Sequence, residues 1–341
     1  MKSIIELQVL RGLAVLMVVF GHVHQAQERF MGPALLGDMA YIGFAGVDVF
    51  FVISGFIIHH LYRQADGPDA GYFLKRINRI YPLYWVYTLA ALGGYMVLGD
   101  ALNRDGDTVN WLNSVTLFPT GNLPMLSVGW TLTHELYFYA VYGLVLFLPG
   151  RLRLPALAAW GALTLVFLFL GRSGWPAWAA LMLSPFNLLF LAGIALAEGF
   201  KWAERLKWIA LGMTLAGLAL GAWFTGTFGL QGFAQVGVRV TVFAPLSVGI
   251  VWALLAFKPR LPAIAARLGD WSYSTYLSHI LVLGVLARLA APVLTSLPLT
   301  GVLAYVLLIA AALVYGAVSF YLIEKPLLKL GRGVIGKLTG R

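Results

Sequence analysis

The chain has 341 residues, of which 60% are hydrophobic and 11% are charged, and its mean hydropathy is +0.83. This composition excludes an ordinary soluble domain and predicts an all-α, polytopic integral membrane protein. The formal net charge of +10 needs no nucleic-acid partner, because cytoplasmic loops of membrane proteins carry excess Lys and Arg and attract anionic lipid. The absence of cysteine excludes disulfides and thiol nucleophiles.

Apolar segments recur along the whole chain, and about 20 such residues cross a bilayer as a helix. With the N-terminus in the cytoplasm, most of the 24 basic residues fall in the loops assigned to the cytoplasm, so both termini are predicted to be cytoplasmic. We predict one membrane domain over residues 1–341, whose first segment is retained because it lacks a small-residue cleavage site. The ten predicted helices lie near residues 5–23, 41–61, 80–99, 130–149, 156–171, 181–199, 208–226, 237–257, 272–291 and 301–323.

The first segment carries two ionisable residues, Arg11 and His22, in the apolar run LRGLAVLMVVFGH. Eleven residues nearly complete three helical turns, so both side chains are predicted to leave one face about 16 Å apart. A charge at membrane depth is costly and normally faces a partner, a ligand or water. The pattern therefore favours a functional channel. The alternative is that Arg11 reaches the cytoplasmic headgroups while His22 lies at the opposite border.

Two acidic residues, Asp48 in GVDVFFVISGF and Glu135 in WTLTHELYFY, interrupt the second and fourth segments. Each is predicted roughly 7–10 Å below the outer border, in the half of the membrane that His22 approaches. A histidine oriented or charged by a carboxylate suits general base catalysis. Either acid alone is also consistent with a hydrogen-bonded structural carboxyl.

A basic cluster, Lys75, Arg76 and Arg79, precedes the third segment in the stretch YFLKRINRIYPLYW. If the stretch is helical, Arg76 and Arg79 occupy neighbouring positions of one face and can bind phosphates through paired hydrogen bonds. The alternative is the ordinary positive charge of a cytoplasmic loop.

Together these motifs resemble the acyltransferase 3 family, and they occur in family order from residue 7 to residue 326. The family consists of integral membrane enzymes that transfer an acyl group, commonly acetyl, from cytoplasmic acyl-coenzyme A to a hydroxyl of a carbohydrate. The resemblance therefore implies a membrane O-acyltransferase of the bacterial plasma (inner) membrane, with acyl-CoA, a carbohydrate or glycoconjugate acceptor and lipid as partners. The matching stretches are LQVLRGLAVLMVVFGH, GVDVFFVISGF, RINRIYPLYW, WTLTHELYFY, LGDWSYSTYLSH and EKP.

The resemblance also implies roles for individual residues. His22, paired with Glu135, is expected to meet the thioester and the sugar hydroxyl, and Asp48 to support ring orientation or local charge balance. Five further residues are expected to bind the acyl-CoA donor. The basic cluster, Lys75, Arg76 and Arg79, is expected to bind its phosphates. Arg11 is expected to line the passage, and His279 to lie beside the pantetheine arm. A helix-packing hydrogen bond is the alternative for His279.

Several alternatives remain open at this point. His22 either removes the hydroxyl proton directly or becomes acylated itself. A transporter of a sugar precursor or an anion fits the same topology, although no inverted repeat or matched pair of broken helices indicates one. A non-catalytic scaffold is a third possibility.

The remaining polar residues are assigned structural or recognition roles. His134 is interpreted as local variation within its motif, and the loop from about residue 100 to 128 is expected to help recognise the acceptor. We expect no metal, because no carboxylate or cysteine set completes a site around the other interfacial histidines, which are His24, His59 and His60.

Overall fold

The computed structural model describes residues 5–32, 35–68, 70–98, 110–294 and 300–339. These residues form helices joined by short connections, with no strand among them. The helical class predicted from the apolar runs is confirmed. Its physical basis is that a helix satisfies all of its backbone hydrogen bonds within one segment, as lipid requires.

The described ranges contain thirteen α-helices. Short 3₁₀ segments at Gly37–Phe44, Phe200–Trp202 and Gly229–Ala234 connect some of them, and a π-helical segment, Phe320–Glu324, joins the last two. The α-helices are α1 (Ile5–Phe30), α2 (Ala45–Tyr62), α3 (Ala70–Leu98), α4 (Trp111–Thr116), α5 (Gly129–Val145), α6 (Gly150–Leu170), α7 (Ala177–Met182), α8 (Phe186–Glu198), α9 (Lys207–Phe228), α10 (Val236–Phe257), α11 (Ala263–Leu294), α12 (Thr300–Ser319) and α13 (Lys325–Thr339).

Each of the ten predicted membrane segments overlaps a helix. Within the described ranges, eight helical segments are long and apolar enough to cross a membrane. Neither α3 nor α5 is among the eight, and α5 has only 17 residues. The described residues therefore contain eight candidate membrane spans by length and composition, and the count of ten crossings stays a prediction.

The chain divides into two compact units. Unit 1 comprises Met1–Leu61 and Leu188–Ser319, and unit 2 comprises Tyr62–Asn187 and Phe320–Arg341. In unit 1, α1 packs against α11 and α12, and α9 packs against α10. In unit 2, α3 packs against α5 and α13. Consequently His22, Asp48 and His279 belong to unit 1, whereas Glu135 and the basic cluster belong to unit 2.

Helices α2 and α8 approach each other at two glycines. A Cβ added to Gly55 would overlap the carbonyl oxygen of Phe190, and one added to Gly193 would overlap the carbonyl oxygen of Val52. Small residues at such crossings let helix backbones pack closely, as is common inside membranes. This crossing holds the apolar α2, which carries Asp48, within unit 1.

The loop predicted to recognise the acceptor is described only from residue 110 onward, since residues 100–109 lie outside the described residues. Its described part contains α4, whose first turn is capped by the Asn110 side chain accepting from the Asn113 N–H. The Asn113 amide in turn donates to the carbonyl of Asn122. The part after residue 110 is therefore an ordered, hydrogen-bonded connection to α5.

Candidate active site

His22 lies on α1, the continuous helix that also carries Arg11, as the apolar run predicts. Its Nδ1 is 2.9 Å from the carbonyl oxygen of Val18. A carbonyl only accepts hydrogen bonds, so Nδ1 carries the proton, and the Nε2 of a neutral ring is then a base. The residue is partly buried, and this hydrogen bond fixes the orientation of its ring on the helix.

Two aromatic rings flank His22. The His279 ring lies edge-on with a centroid separation of 4.8 Å, and the Phe44 ring lies 4.7 Å away. His279 is fully buried, and its Nδ1 donates to the carbonyl of Tyr276 at 2.6 Å. The packing of α11 on α1 therefore makes His279 a direct neighbour of His22, a pairing that the sequence did not predict.

Asp48 is fully buried on α2 and forms an ion pair with Arg239 of α10, with Nη2 3.0 Å from Oδ2. The same nitrogen donates to the carbonyl oxygen of Phe44 at 3.2 Å. Because the Phe44 ring contacts His22, the pair holds the backbone of a residue that borders the imidazole. The sequence offered one signal for Arg239, a lone arginine within the apolar run VGVRVTVFAPL, but no indication of its partner.

Glu135 lies on α5 in unit 2, where it accepts a hydrogen bond from the hydroxyl of Tyr139 one turn later. The neighbouring His134 has other partners. Its Nδ1 donates to the carbonyl of Trp130, and its Nε2 lies 3.2 Å from the Ser184 hydroxyl. His134 thus has local structural partners.

Arg76 of α3 lies over two tyrosine rings, with Cζ 5.9 Å from the centroid of Tyr62 and 5.5 Å from that of Tyr139. A guanidinium over an aromatic face is held by cation–π attraction. Since Tyr139 also bonds Glu135, one tyrosine connects a predicted phosphate-binding residue with a predicted catalytic carboxylate within unit 2.

The other two members of the basic cluster differ from Arg76. Lys75 is exposed on α3. The Nη1 of Arg79 is 2.5 Å from Oε1 of Glu324, the acidic residue of the EKP motif. Two of the motifs found in the sequence therefore meet as an ion pair.

The structure brings the predicted site residues together in two groups. Unit 1 holds His22, His279 and the Asp48–Arg239 pair, and unit 2 holds Glu135 with Tyr139 and the basic cluster. The pairing of His22 with Glu135 concerns residues of different units and stays a prediction, as do the catalytic and donor-binding roles.

Comparison with known proteins identifies the family. The family model described as an acyltransferase domain, Acyl_transf_3, matches residues 4–321. This match covers nearly the whole chain and extends over helices of both units.

Curated relatives agree with this assignment. The chain is 33% identical over 325 residues to the exopolysaccharide production protein ExoZ of Rhizobium meliloti (strain 1021). This alignment covers 88% of this chain and 95% of that protein. It is 28% identical over 366 residues to the acyltransferase MdmB of Streptomyces mycarofaciens, covering 94% of this chain and 90% of that protein. A shorter match, 28% identical over 170 residues, covers 43% of this chain and 25% of the putative peptidoglycan O-acetyltransferase YrhL of Bacillus subtilis (strain 168).

No solved structure is significantly similar to the chain. The family therefore rests on sequence, and the helical architecture with its eight apolar spans agrees with a protein of the membrane. The chain belongs to the acyltransferase 3 family and is an integral membrane acyltransferase.

Proposed function

We propose that the protein transfers an acyl group, acetyl in the simplest case, from acyl-coenzyme A to a hydroxyl of a cell-surface or exported carbohydrate. Two relatives support this acceptor class by name, one through exopolysaccharide production and one through peptidoglycan O-acetylation. The observation that carries the proposal is the His22 imidazole, whose Nδ1–H is bound to Val18 and whose Nε2 is left as a base.

The proposed chemistry is a direct transfer. Nε2 of His22 takes the proton of the acceptor hydroxyl as that oxygen attacks the thioester carbonyl. The C–S bond then breaks, the ester forms, and the His22 proton passes to the departing coenzyme A thiolate.

Carboxylates assist this proton transfer in the proposal. Glu135 is assigned as the partner that favours protonated His22, on the strength of its family motif. Asp48 is assigned to local charge balance, which its ion pair with Arg239 supports.

Cationic and aromatic residues bind the donor in the proposal. Lys75, Arg76 and Arg79 contact the nucleotide phosphates; a guanidinium has five N–H donors, so Arg79 can bond both a phosphate and Glu324. Arg11 lines the route of the pantetheine arm, and His279 borders the reactive end through its contact with His22.

The proposed setting is the bacterial plasma membrane, crossed ten times with both chain termini in the cytoplasm. In this arrangement α3 and α5 cross in addition to the eight apolar segments. The distribution of Lys and Arg among the loops supports the orientation.

Purified protein in detergent, supplied with radiolabelled acetyl-CoA and an isolated bacterial polysaccharide, tests the proposal. We expect acetyl transfer that His22→Ala abolishes and that His60→Ala, which removes an exposed histidine, leaves unchanged. After reconstitution into lipid vesicles, flux of a sugar or anion across the membrane without acyl consumption would contradict it. A labelled enzyme that forms with donor alone and is discharged by acceptor would replace the direct step with an acyl-histidine route.

A further inference from the structure

His24 of α1 is a buried histidine whose nearest charged group is Glu28, one turn later on the same helix. Its side chain is fully buried, and neither ring nitrogen has a hydrogen-bond partner among the described residues. Buried polar atoms are nearly always satisfied, so an orphaned imidazole with two such nitrogens calls for an explanation. The ring is held in place by Tyr41, which packs edge-on at a centroid separation of 4.6 Å.

Two carboxylates face this imidazole. Glu28 follows one turn later on the same face of α1, and its Oε1 is 3.4 Å from Nε2 of His24. Asp38 comes from the 3₁₀ segment Gly37–Phe44, which packs against α1. One ligand atom from each of the three residues lies within 4.8 Å of the other two.

We propose that His24, Glu28 and Asp38 bind a divalent cation of the zinc type. Zinc bonds to imidazole nitrogen and carboxylate oxygen are about 2.0–2.2 Å long, so ligand atoms of a tetrahedral site lie roughly 3.3–3.6 Å apart. The His24–Glu28 separation already has this value. In this proposal a single cation contacts both the His24 imidazole and the two carboxylates of Glu28 and Asp38.

The surroundings of the three residues fit such a site. The hydroxyl of Tyr41 donates to Oε2 of Glu28 at 2.8 Å, which fixes this carboxylate and leaves Oε1 directed at His24. Hydrogen bonds of this kind orient metal ligands in proteins. Glu28 and Asp38 are exposed while His24 is buried. A cation can therefore reach the three residues from the protein surface, and the exposed Asp38 side chain can rotate towards it.

The site is formed by tertiary structure. His24 and Glu28 alone give two ligands at helical spacing, and the third arrives only because the chain turns back onto α1 after residue 30. The sequence showed no carboxylate set around His24, and the fold supplies one. This binding site is independent of the acyl-transfer proposal, since it uses none of the residues assigned to catalysis or donor binding.

Metal binding to the full-length protein tests the inference. The protein is purified through a tag without histidine, stripped with a chelator, and titrated with ZnCl₂ against a fluorescent zinc indicator. We expect one Zn²⁺ per chain and a higher midpoint of thermal unfolding. Loss of one ligand in Glu28→Gln or Asp38→Asn is expected to weaken binding roughly tenfold or more. Both substitutions keep side-chain shape, and the amide oxygen introduced by Glu28→Gln still accepts from the hydroxyl of Tyr41.

Two further variants show whether zinc binding depends on these three residues in particular. Asp66→Asn removes an exposed carboxylate elsewhere and is expected to bind like the native chain, whereas Glu28→His replaces one type of zinc ligand by another and is expected to retain binding. Replacing Zn²⁺ with Co²⁺ should give the visible absorption of a tetrahedral ion. Equal zinc affinity in all of these variants, no bound zinc, or a response to Ca²⁺ or Mg²⁺ alone would overturn the proposal.

Discussion

Arg79 of α3 and Glu324 of the π-helical segment form an ion pair in which the carboxylate is buried and the guanidinium partly exposed, with 1% and 29% of the side chains accessible. The two residues are 245 positions apart in the chain. The pair ties α3 to the segment that joins α12 and α13, and π-helical turns of this kind often occur at functional sites. Arg79 therefore has a structural role in addition to its proposed contact with the donor.

The unequal burial of this pair predicts unequal effects of its substitutions. Arg79→Ala removes the ion-pair partner of a buried carboxylate, which should lower the free energy of unfolding by about 3–5 kcal/mol. Glu324→Gln leaves a partly solvated guanidinium and should cost less. Thermal unfolding in detergent and the KM for acetyl-CoA measure the two roles separately. If Glu324→Gln changes neither quantity, the pair has no role in either.

The Asp48–Arg239 pair is buried on both sides, so each single substitution removes one partner of a buried ion pair. We expect Asp48→Asn and Arg239→Gln each to destabilise unit 1 by about 3–5 kcal/mol. The double variant should be less destabilised than the sum, with a coupling of about 1 kcal/mol or more, because no charge is then left alone. Unfolding of the four proteins by denaturant measures this, and simple additivity would contradict an ion pair.

His22 and His279 are predicted to affect activity differently although their rings touch. Loss of a general base typically lowers the rate about 100-fold to 10,000-fold, so His22→Ala should lose acetyl transfer while its thermal unfolding stays near native. His279→Asn removes a buried ring from the interface of α1 and α11 and should lower both stability and kcat. Equal rates in His22→Ala and the native protein would exclude the proposed base.

The close approach of α2 and α8 predicts a position-specific effect of adding one methyl group. Gly55→Ala forces the new Cβ into the backbone of Phe190, and such overpacking costs about 1–3 kcal/mol. Gly212→Ala is the matched control, because nothing lies within 4 Å of its added Cβ, and alanine in a helix is favoured over glycine by about 1 kcal/mol. Unfolding midpoints that fall equally for both variants would contradict this packing.

The absence of cysteine makes membrane orientation directly measurable. Single cysteines replace Gln64 and Ser173, two exposed residues that the predicted topology puts in the cytoplasm and outside, respectively. In intact cells, an impermeant maleimide should label Ser173→Cys, and Gln64→Cys only after permeabilisation. The reverse pattern would invert the topology and with it the proposed side of donor binding.

Local features of the fold were predictable because they depend on neighbouring residues. Apolar runs identified the helices and assigned Arg11 and His22 to the same one, since a run of consecutive apolar residues is a local feature of the chain. The contact between His22 and His279 was not predictable in this way. It depends on which faces of α1 and α11 pack together, and a single sequence does not contain that information.

Composition and motifs by themselves determined the helical membrane class, the family and the residue types available for chemistry. Only the tertiary structure decided which charges from separate segments come together: Asp48 with Arg239, Arg79 with Glu324, and Asp38 with the His24–Glu28 pair. The physical reason is that burying a charge is unfavourable unless a partner from another segment compensates it, and that partner is chosen by helix packing, not by spacing along the chain.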